Sequence, residues 1–254
     1  GSGQQREAAP GKNQSSMKRV DEEENTADSA ALFPSKEIDE VGLTKEGGTS
    51  VKIGAYQFQV TGNIADNMRE IERAILRASQ EKLRILVFPE CCLTGYPPHD
   101  LISAACSDFE QITLCCDALS ELAKVHGMYL VVGTITRENG HIHNSAIVFA
   151  PTLERYVYQK RALWGWDRDN FLPGDQMGVF EMEGIKIGIR ICFEVRFPEY
   201  FRELYREETG LNLVLFYDRS DEDDMERYDL IRAHIRTRAV ENVCHTLSVN
   251  TAGP

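Results

Sequence analysis

Hydrophobic positions along this chain change period repeatedly, and each change marks an element. Val51–Gln59 alternates apolar with polar or small residues, which predicts a strand. Asn63 then offers a capping oxygen ahead of Ile64, Met68, Ile71, Ile75 and Ala78, whose spacings of 4, 3, 4 and 3 build one apolar helix face. Leu83–Phe88 is apolar with no helical period, as a buried strand requires. Ile112, Cys115, Leu119 and Leu122 predict a helix over 110–126, and Met128–Ile135 the next strand. Asn139-Gly140 signals a hairpin into Ile142–Phe149, and Pro151-Thr152 turns the chain into a strand at Arg155–Gln159. Glu183-Gly184 joins Gly178–Met182 to Ile185–Ile191. A helix follows Pro198, an apolar strand covers Leu211–Tyr217, a helix spans 223–242, and Thr246–Asn250 is the last strand. There is no internal repeat. Alternating α and β elements interrupted by antiparallel hairpins predict a two-layer or sandwich α/β domain, not a pure doubly wound sheet.

Residues 1–50 show no such pattern. Gly1-Ser2-Gly3 looks like a cloning scar, and the stretch after it is rich in Gln, Ser, Glu, Asp and Lys with few large apolar residues. Such a segment buries too little surface to offset its ordering entropy, so it is expected to be an N-terminal tail, largely disordered. Leu32-Phe33 and Ser35–Val41 are the stretches able to dock on the domain or on a partner subunit. The folded domain is expected over 51–254.

Charge and cysteine content narrow the setting. With 28 basic and 40 acidic residues the net charge is −12, which argues against nucleic acid or an anionic membrane surface as a partner. No apolar run approaches the roughly 20 residues that span a bilayer, and the N-terminus has no hydrophobic signal core. A soluble, cytoplasmic protein is expected. The seven cysteines include two adjacent pairs, Cys91-Cys92 and Cys115-Cys116, and match no secreted disulfide framework. They read as reduced, partly buried thiols. A zinc site from Cys91, Cys92 and His99 lacks a second ligand pair at the usual spacing, and Asp221–Asp224 reads as a solvated helix start.

Three segments carry candidate chemistry. The strand over Ile185–Ile191 stops at Cys192, and a strand's carboxyl end is where an α/β protein presents reactive groups beside free backbone N–H donors. Cys192 is either a nucleophile whose thiolate is favoured by nearby cations, or a core thiol. Glu90 falls just past a buried strand, where a partly desolvated carboxylate has a raised pKa and can take a proton from a thiol. A loop glutamate capping the next turn fits that local pattern equally well. Lys160 ends the strand at Arg155–Gln159, placed either to face a developing oxyanion or to point into solvent.

Together these segments resemble the nitrilase superfamily, the carbon–nitrogen hydrolases. Phe88-Pro89-Glu90 followed by Leu93-Thr94-Gly95-Tyr96 is similar to that family's base motif. Tyr158-x-Lys160-x-x-Leu163 is similar to its lysine motif, and Phe171-Leu172-Pro173-Gly174 to the loop beyond it. Ile191-Cys192-Phe193-Glu194-x-Arg196-Phe197-Pro198-Glu199 is similar to its nucleophile motif, and Arg238–Asn242 to its late helix. The order and spacing agree across 51–254. The resemblance implies a four-layer α-β-β-α sandwich and a Glu90, Lys160, Cys192 triad. In it Glu90 would be general base and later acid, Cys192 the nucleophile and Lys160 the oxyanion stabiliser, with the N–H of Phe193 sharing the oxyanion. It implies attack on an amide, a thioester, loss of ammonia or an amine, and hydrolysis, with no metal or organic cofactor.

Two departures from the family pattern stand out. Where family members often carry a second glutamate, this chain has Asp167, one methylene shorter, as a support residue. The family fold also continues beyond the point where this chain stops, so the last C-terminal strands are expected to be lacking. The stretch after Cys192 lacks the Cys-Trp-Glu of true nitrilases and resembles the amidase and carbamoylase branches. A small linear carboxamide, such as an ω-amide of a dicarboxylic acid, is the expected substrate. The alternatives are an N-carbamoyl amino acid, a nitrile, or a catalytically silent scaffold that has kept the fold. Arg196 is placed either to pair a substrate carboxylate or to pair a nearby glutamate. Tyr96, Trp164, Trp166 and Tyr217 are candidate pocket walls or simply core, and Glu194 completes the candidate substrate-binding set. A homodimer or larger homo-oligomer is expected through helices flanking the nucleophile, using Glu199, Tyr200, Phe201, Leu204 and Tyr205.

Overall fold

The computed structural model describes residues 38–44, 50–219 and 224–253. Most of the expected tail, including Leu32-Phe33, and positions 221–223 of the acidic helix start lie outside the described residues. Within the stretch read as tail, β1 (Ile38–Thr44) pairs antiparallel with β2 (Ser50–Tyr56), with Leu43 opposite Val51. Leu43 is buried among the apolar residues between the two sheets, so this stretch is a sheet edge and not a free tail.

The first helix forms where the pattern placed it. Asn63 accepts a hydrogen bond from the Asp66 amide at 3.1 Å, and α1 (Ile64–Gln80) buries Met68, Ile71, Ile75 and Ala78 on one face. β3 (Ile85–Val87) is buried throughout. α2 (Phe109–His126) ends at Gly127, whose φ of 61° supplies the left-handed cap. The hairpin β4 (Tyr129–Glu138) and β5 (His141–Phe149) turns at Asn139-Gly140, and β6 (Arg155–Gln159) pairs antiparallel with β5. A short helix α3 (Asp167–Asn170), absent from the expected elements, precedes β7 (Val179–Met182) and β8 (Ile185–Ile191). The chain then runs through α4 (Pro198–Arg206), β9 (Leu211–Leu215), α5 (Met225–Glu241) and β10 (His245–Val249).

The strands form two sheets, ordered β1-β2-β3-β4-β5-β6 and β10-β9-β8-β7. Period-two alternation on β4 explains the layering: Leu130 and Val132 face α1 and α2 with Ile71, Ile75 and Leu119, whereas Val131 faces the second sheet. Between the sheets, Ile53, Ile85, Val87 and Val148 meet Ile187, Ile189, Leu213 and Leu215. Phe201 and Leu204 of α4, with Ile231 and Ile235 of α5, cover the far face through Val214 and Phe216. The architecture is a four-layer α-β-β-α sandwich.

One expectation changes here. Phe201 and Leu204 are committed to the chain's own core, so α4 presents only Glu199, Tyr200 and Tyr205 of its expected assembly surface. All seven cysteines are unpaired; Cys91 and Cys92 lie in the core, the Cys92 thiol donating to the Gly133 carbonyl, and neither serves a zinc site with His99. Among the described residues, no group of three or more His, Cys, Asp or Glu could hold a metal ion, and no helix is long and apolar enough to cross a membrane.

Candidate active site

Glu90 reaches the interior because the backbone around it is pressed against β4. A Cβ on Gly133 would lie 2.2 Å from the Pro89 carbonyl oxygen and 2.7 Å from Glu90 Cα, so only glycine permits this approach. The turn beyond it uses Cys91 at a φ of 50°. Glu90 is 1% exposed, and both its oxygens are engaged. Oε1 accepts from Lys160 Nζ and from Asn144 Nδ2, each at 2.7 Å, and Oε2 accepts from the Tyr217 amide at 2.8 Å.

Lys160 leaves the end of β6 with its own amide donating to the Asn144 carbonyl at 2.8 Å. Its buried ammonium lies 2.7 Å from Glu90 Oε1 and 2.8 Å from Asp167 Oδ2. Asp167 opens α3 and is itself buried, accepting from the Tyr96 hydroxyl at 2.7 Å and the Trp164 amide at 3.0 Å. The shorter carboxylate therefore does reach the cluster, and it meets the lysine.

Cys192 stands at the end of β8 with a φ of 46°, a left-handed conformation that an ordinary side chain adopts only under constraint. A 3₁₀ turn over Cys192–Arg196 comes next, and Phe193 carries one of its leading amides, which lack partners within the turn. The constraint comes from Glu194. Its Oε2 accepts from the Ile191 amide at 2.6 Å, and its Oε1 accepts from the Tyr158 hydroxyl at 2.8 Å and the Arg161 and Ala162 amides at 2.6 and 3.3 Å. Glu194 was expected against substrate. With no exposure and every oxygen occupied, it instead ties the nucleophile turn to the segment after Lys160.

Three charges, two of them negative, share this enclosure. Burial raises the pKa of Glu90 against the opposing Lys160 cation, and Asp167 adds to the rise. Burial also pushes the Cys192 thiol well above the ordinary range, with Glu90 acting the same way and Lys160 opposing. For Lys160 burial works against the cation, but Glu90, Cys192 and Asp167 outweigh it and hold the ammonium well above the usual lysine range. A buried thiol, a carboxylate and a cation thus act on one another within one enclosure.

The remaining candidates pack beside the cluster through ring contacts. Tyr96 stacks on Tyr217 with ring centroids 4.9 Å apart, and Tyr217 stacks on His99 at 6.0 Å. The Tyr96 hydroxyl is taken by Asp167. Half-exposed Trp164 and Trp166 stand nearby, Trp164 packing on Phe193 at 5.1 Å and Trp166 edge-on to His99 at 5.3 Å. Arg196 is exposed, its guanidinium 5.3 Å from the Phe193 ring and 5.6 Å from Trp164; among the described residues it pairs with no glutamate. Residue-by-residue reading missed Asn144, Gly133 and Tyr158. Tyr158 stood in the lysine motif without a role of its own, and Asn144 carried the signal of a polar residue inside a strand that pairs on both edges.

A family model described as carbon-nitrogen hydrolase matches residues 52–254. The chain is 30% identical over 208 residues to a 2-oxoglutaramate amidase of Bacillus subtilis, covering 79% of this chain and 76% of that protein. An omega-amidase of Xenopus laevis is 30% identical over 176 residues, covering 65% of this chain but only 62% of that protein's length. Among solved structures, an amidase from Nesterenkonia sp. AN1 in complex with butyramide aligns with a TM-score of 0.73 at 26% identity, over 84% of this chain and 80% of that one. Another form of that amidase carries acrylamide added at its active-site cysteine.

Proposed function

The chain belongs to the carbon–nitrogen hydrolase family, and from that premise we propose that it hydrolyses the terminal amide of a small linear carboxamide, an ω-amide of a dicarboxylic acid, through a thioester on Cys192. The observation that carries this reading is the buried Lys160 ammonium, 2.7 Å from Glu90 Oε1, beside a cysteine held at a left-handed φ. Glu90 takes the Cys192 proton as sulfur attacks the carbonyl carbon. The carbonyl electron pair moves onto oxygen, where Lys160 Nζ and the Phe193 N–H receive it. Collapse of this adduct breaks the C–N bond, and Glu90 returns the proton to the departing ammonia. Water then gives a proton to Glu90 and attacks the thioester, and the second collapse reprotonates Cys192. Asp167 keeps Lys160 aimed while Glu90 gains and loses its proton.

The relatives named for 2-oxoglutaramate and ω-amides support the substrate class, as does the amidase that holds butyramide. Arg196, packed on Phe193 and Trp164 and without a carboxylate partner among the described residues, is the candidate for the distal carboxylate of such a substrate. Assembly into a homo-oligomer would use the exposed apolar residues Tyr228, Leu230 and Val240 of α5 with Tyr205, and light scattering coupled to size exclusion tests it. The functional test is ammonia release from ω-amides, N-carbamoyl amino acids and nitriles, run beside Cys192→Ala. Turnover of ω-amides with an acyl adduct that vanishes in Cys192→Ala is the expected result. Preference for carbamoyl compounds or nitriles would overturn the substrate, and activity surviving in Cys192→Ala would overturn the mechanism.

A further inference from the structure

Asn144 has no place in the triad, yet it touches more of it than any other residue outside the three. It lies in the interior of β5, 1% exposed, opposite Ile135 of β4. Its side-chain Nδ2 donates to Glu90 Oε1 at 2.7 Å, and its backbone carbonyl accepts from the Lys160 amide at 2.8 Å. One residue thus sets the height of the base with its side chain and of the lysine with its backbone. A buried asparagine is costly unless both ends are satisfied, and here the Cys91 thiol donates to Oδ1 at 3.6 Å. Turning the amide over would face two acceptors to each other at Glu90, so the orientation with Nδ2 toward the carboxylate is fixed.

We propose that Asn144 is a positioning residue that selects which oxygen of Glu90 exchanges the nucleophile's proton. A carboxylate oxygen offers two lone-pair directions. On Oε1 both are filled, by Lys160 and Asn144, whereas Oε2 accepts only the Tyr217 amide among the described residues. The open position on Oε2 is therefore where the Cys192 proton, and later the water proton, is received. The donation from Asn144 also stabilises the ionised form, working with Lys160 against burial. The other titratable groups facing Glu90 are Asp167 from α3, Cys192 from the nucleophile turn, and Cys91 and Tyr96 from the loop after β3. The Tyr96 hydroxyl is committed to Asp167 and the Cys91 thiol to Asn144 Oδ1, so neither donates to Oε1.

This inference rests on Glu90 acting as the base, so the test has an arm that needs no substrate turnover. The pH dependence of kcat/KM on the best ω-amide is measured for wild type and Asn144→Ala, beside that of Cys192 modification by acrylamide. Adduct formation at Cys192 is followed by peptide mass, because Cys106 is exposed and also reacts. Removing the donor is expected to move the acid limb to higher pH in both measurements. kcat is expected to fall about 10- to 100-fold, no more than the lower end of the about 10²–10⁴ that a general base supplies, with little change in KM. Should Asn144→Ala fail to fold, the isosteric Asn144→Asp places an acceptor against Oε1 and must move the limb upward as well. An unshifted acid limb in a folded variant, even with reduced stability, overturns the proposal. Loss of ω-amide turnover by the wild type, with the acrylamide limb still moving, would fault the substrate and leave Asn144's role standing.

Discussion

Replacing Glu194 by glutamine exposes how the nucleophile is held. The carboxylate receives four donors, with Ile191 alone on Oε2 and Tyr158, Arg161 and Ala162 together on Oε1. Glutamine has one acceptor oxygen, and its best orientation keeps that oxygen at the threefold site. Its amino group then meets the Ile191 amide donor to donor, orphaning a buried N–H at a cost of about 1–3 kcal/mol. The three surviving hydrogen bonds lose the charge that made them roughly twice as strong as neutral ones, about another 1 kcal/mol in each. A total destabilisation of about 4–6 kcal/mol is expected, large for an isosteric change. Activity should fall with it, because the Ile191 amide lies directly before Cys192, and a left-handed φ at a non-glycine residue costs roughly 1–2 kcal/mol when nothing holds it. Urea unfolding of wild type and Glu194→Gln, with kcat and KM on one amide, checks both parts. If Glu194→Gln keeps wild-type stability within about 0.5 kcal/mol and raises only KM, Glu194 is a substrate contact and the reasoning is refuted.

Other consequences of the same geometry can be measured directly. Because Glu90 must be ionised to accept a proton and its pKa is raised, kcat/KM should fall with acid around a value above the about 4.3 of a free glutamate. Asp167→Asn removes a charge that raises Glu90, so the acid limb should move down, opposite to Asn144→Ala; an upward move would mean Asp167 acts mainly by holding Lys160. Gly133→Ala forces a methyl onto the backbone at Pro89 and should abolish folding or cost more than the about 1–3 kcal/mol typical of overpacking, read by thermal melting. Asn63→Ala should cost about 1 kcal/mol through the lost cap with kcat unchanged.

What could be read in advance divides along one physical line, between local and non-local determinants. α1 was legible because its cap and its apolar face are both written within one short run of consecutive residues. β3 was legible because a strand buried on both faces is apolar throughout, and β9 because four of its five buried residues are apolar. β1 was not, since Ile38–Thr44 owes its form to hydrogen bonds with β2, and α3 is a four-residue turn with no period to detect. The same division runs through the site. Cys192 announced itself by standing where a strand stops. Glu194, two residues on, was misread because three of its four donors come from residues 158 to 162, more than thirty positions away. Asn144 stayed silent for the same reason, its meaning lying in a carboxylate 54 residues earlier.

The charge arrangement explains why so many neutral donors surround the triad. One lysine faces two carboxylates, so the buried cluster carries an excess negative charge that would be prohibitive without further hydrogen bonds. Asn144 and the Tyr217 amide supply them to Glu90, and Tyr96 and the Trp164 amide supply them to Asp167. Four neutral donors stabilise the carboxylates without adding the positive charge that would ionise Cys192 at rest. In the proposed mechanism the thiol keeps its proton until a carbonyl carbon is in place to receive the sulfur. Its transfer to Glu90 would remove one negative charge from the carboxylate as another forms on the substrate oxygen, so the net charge of the enclosure would not change through the step.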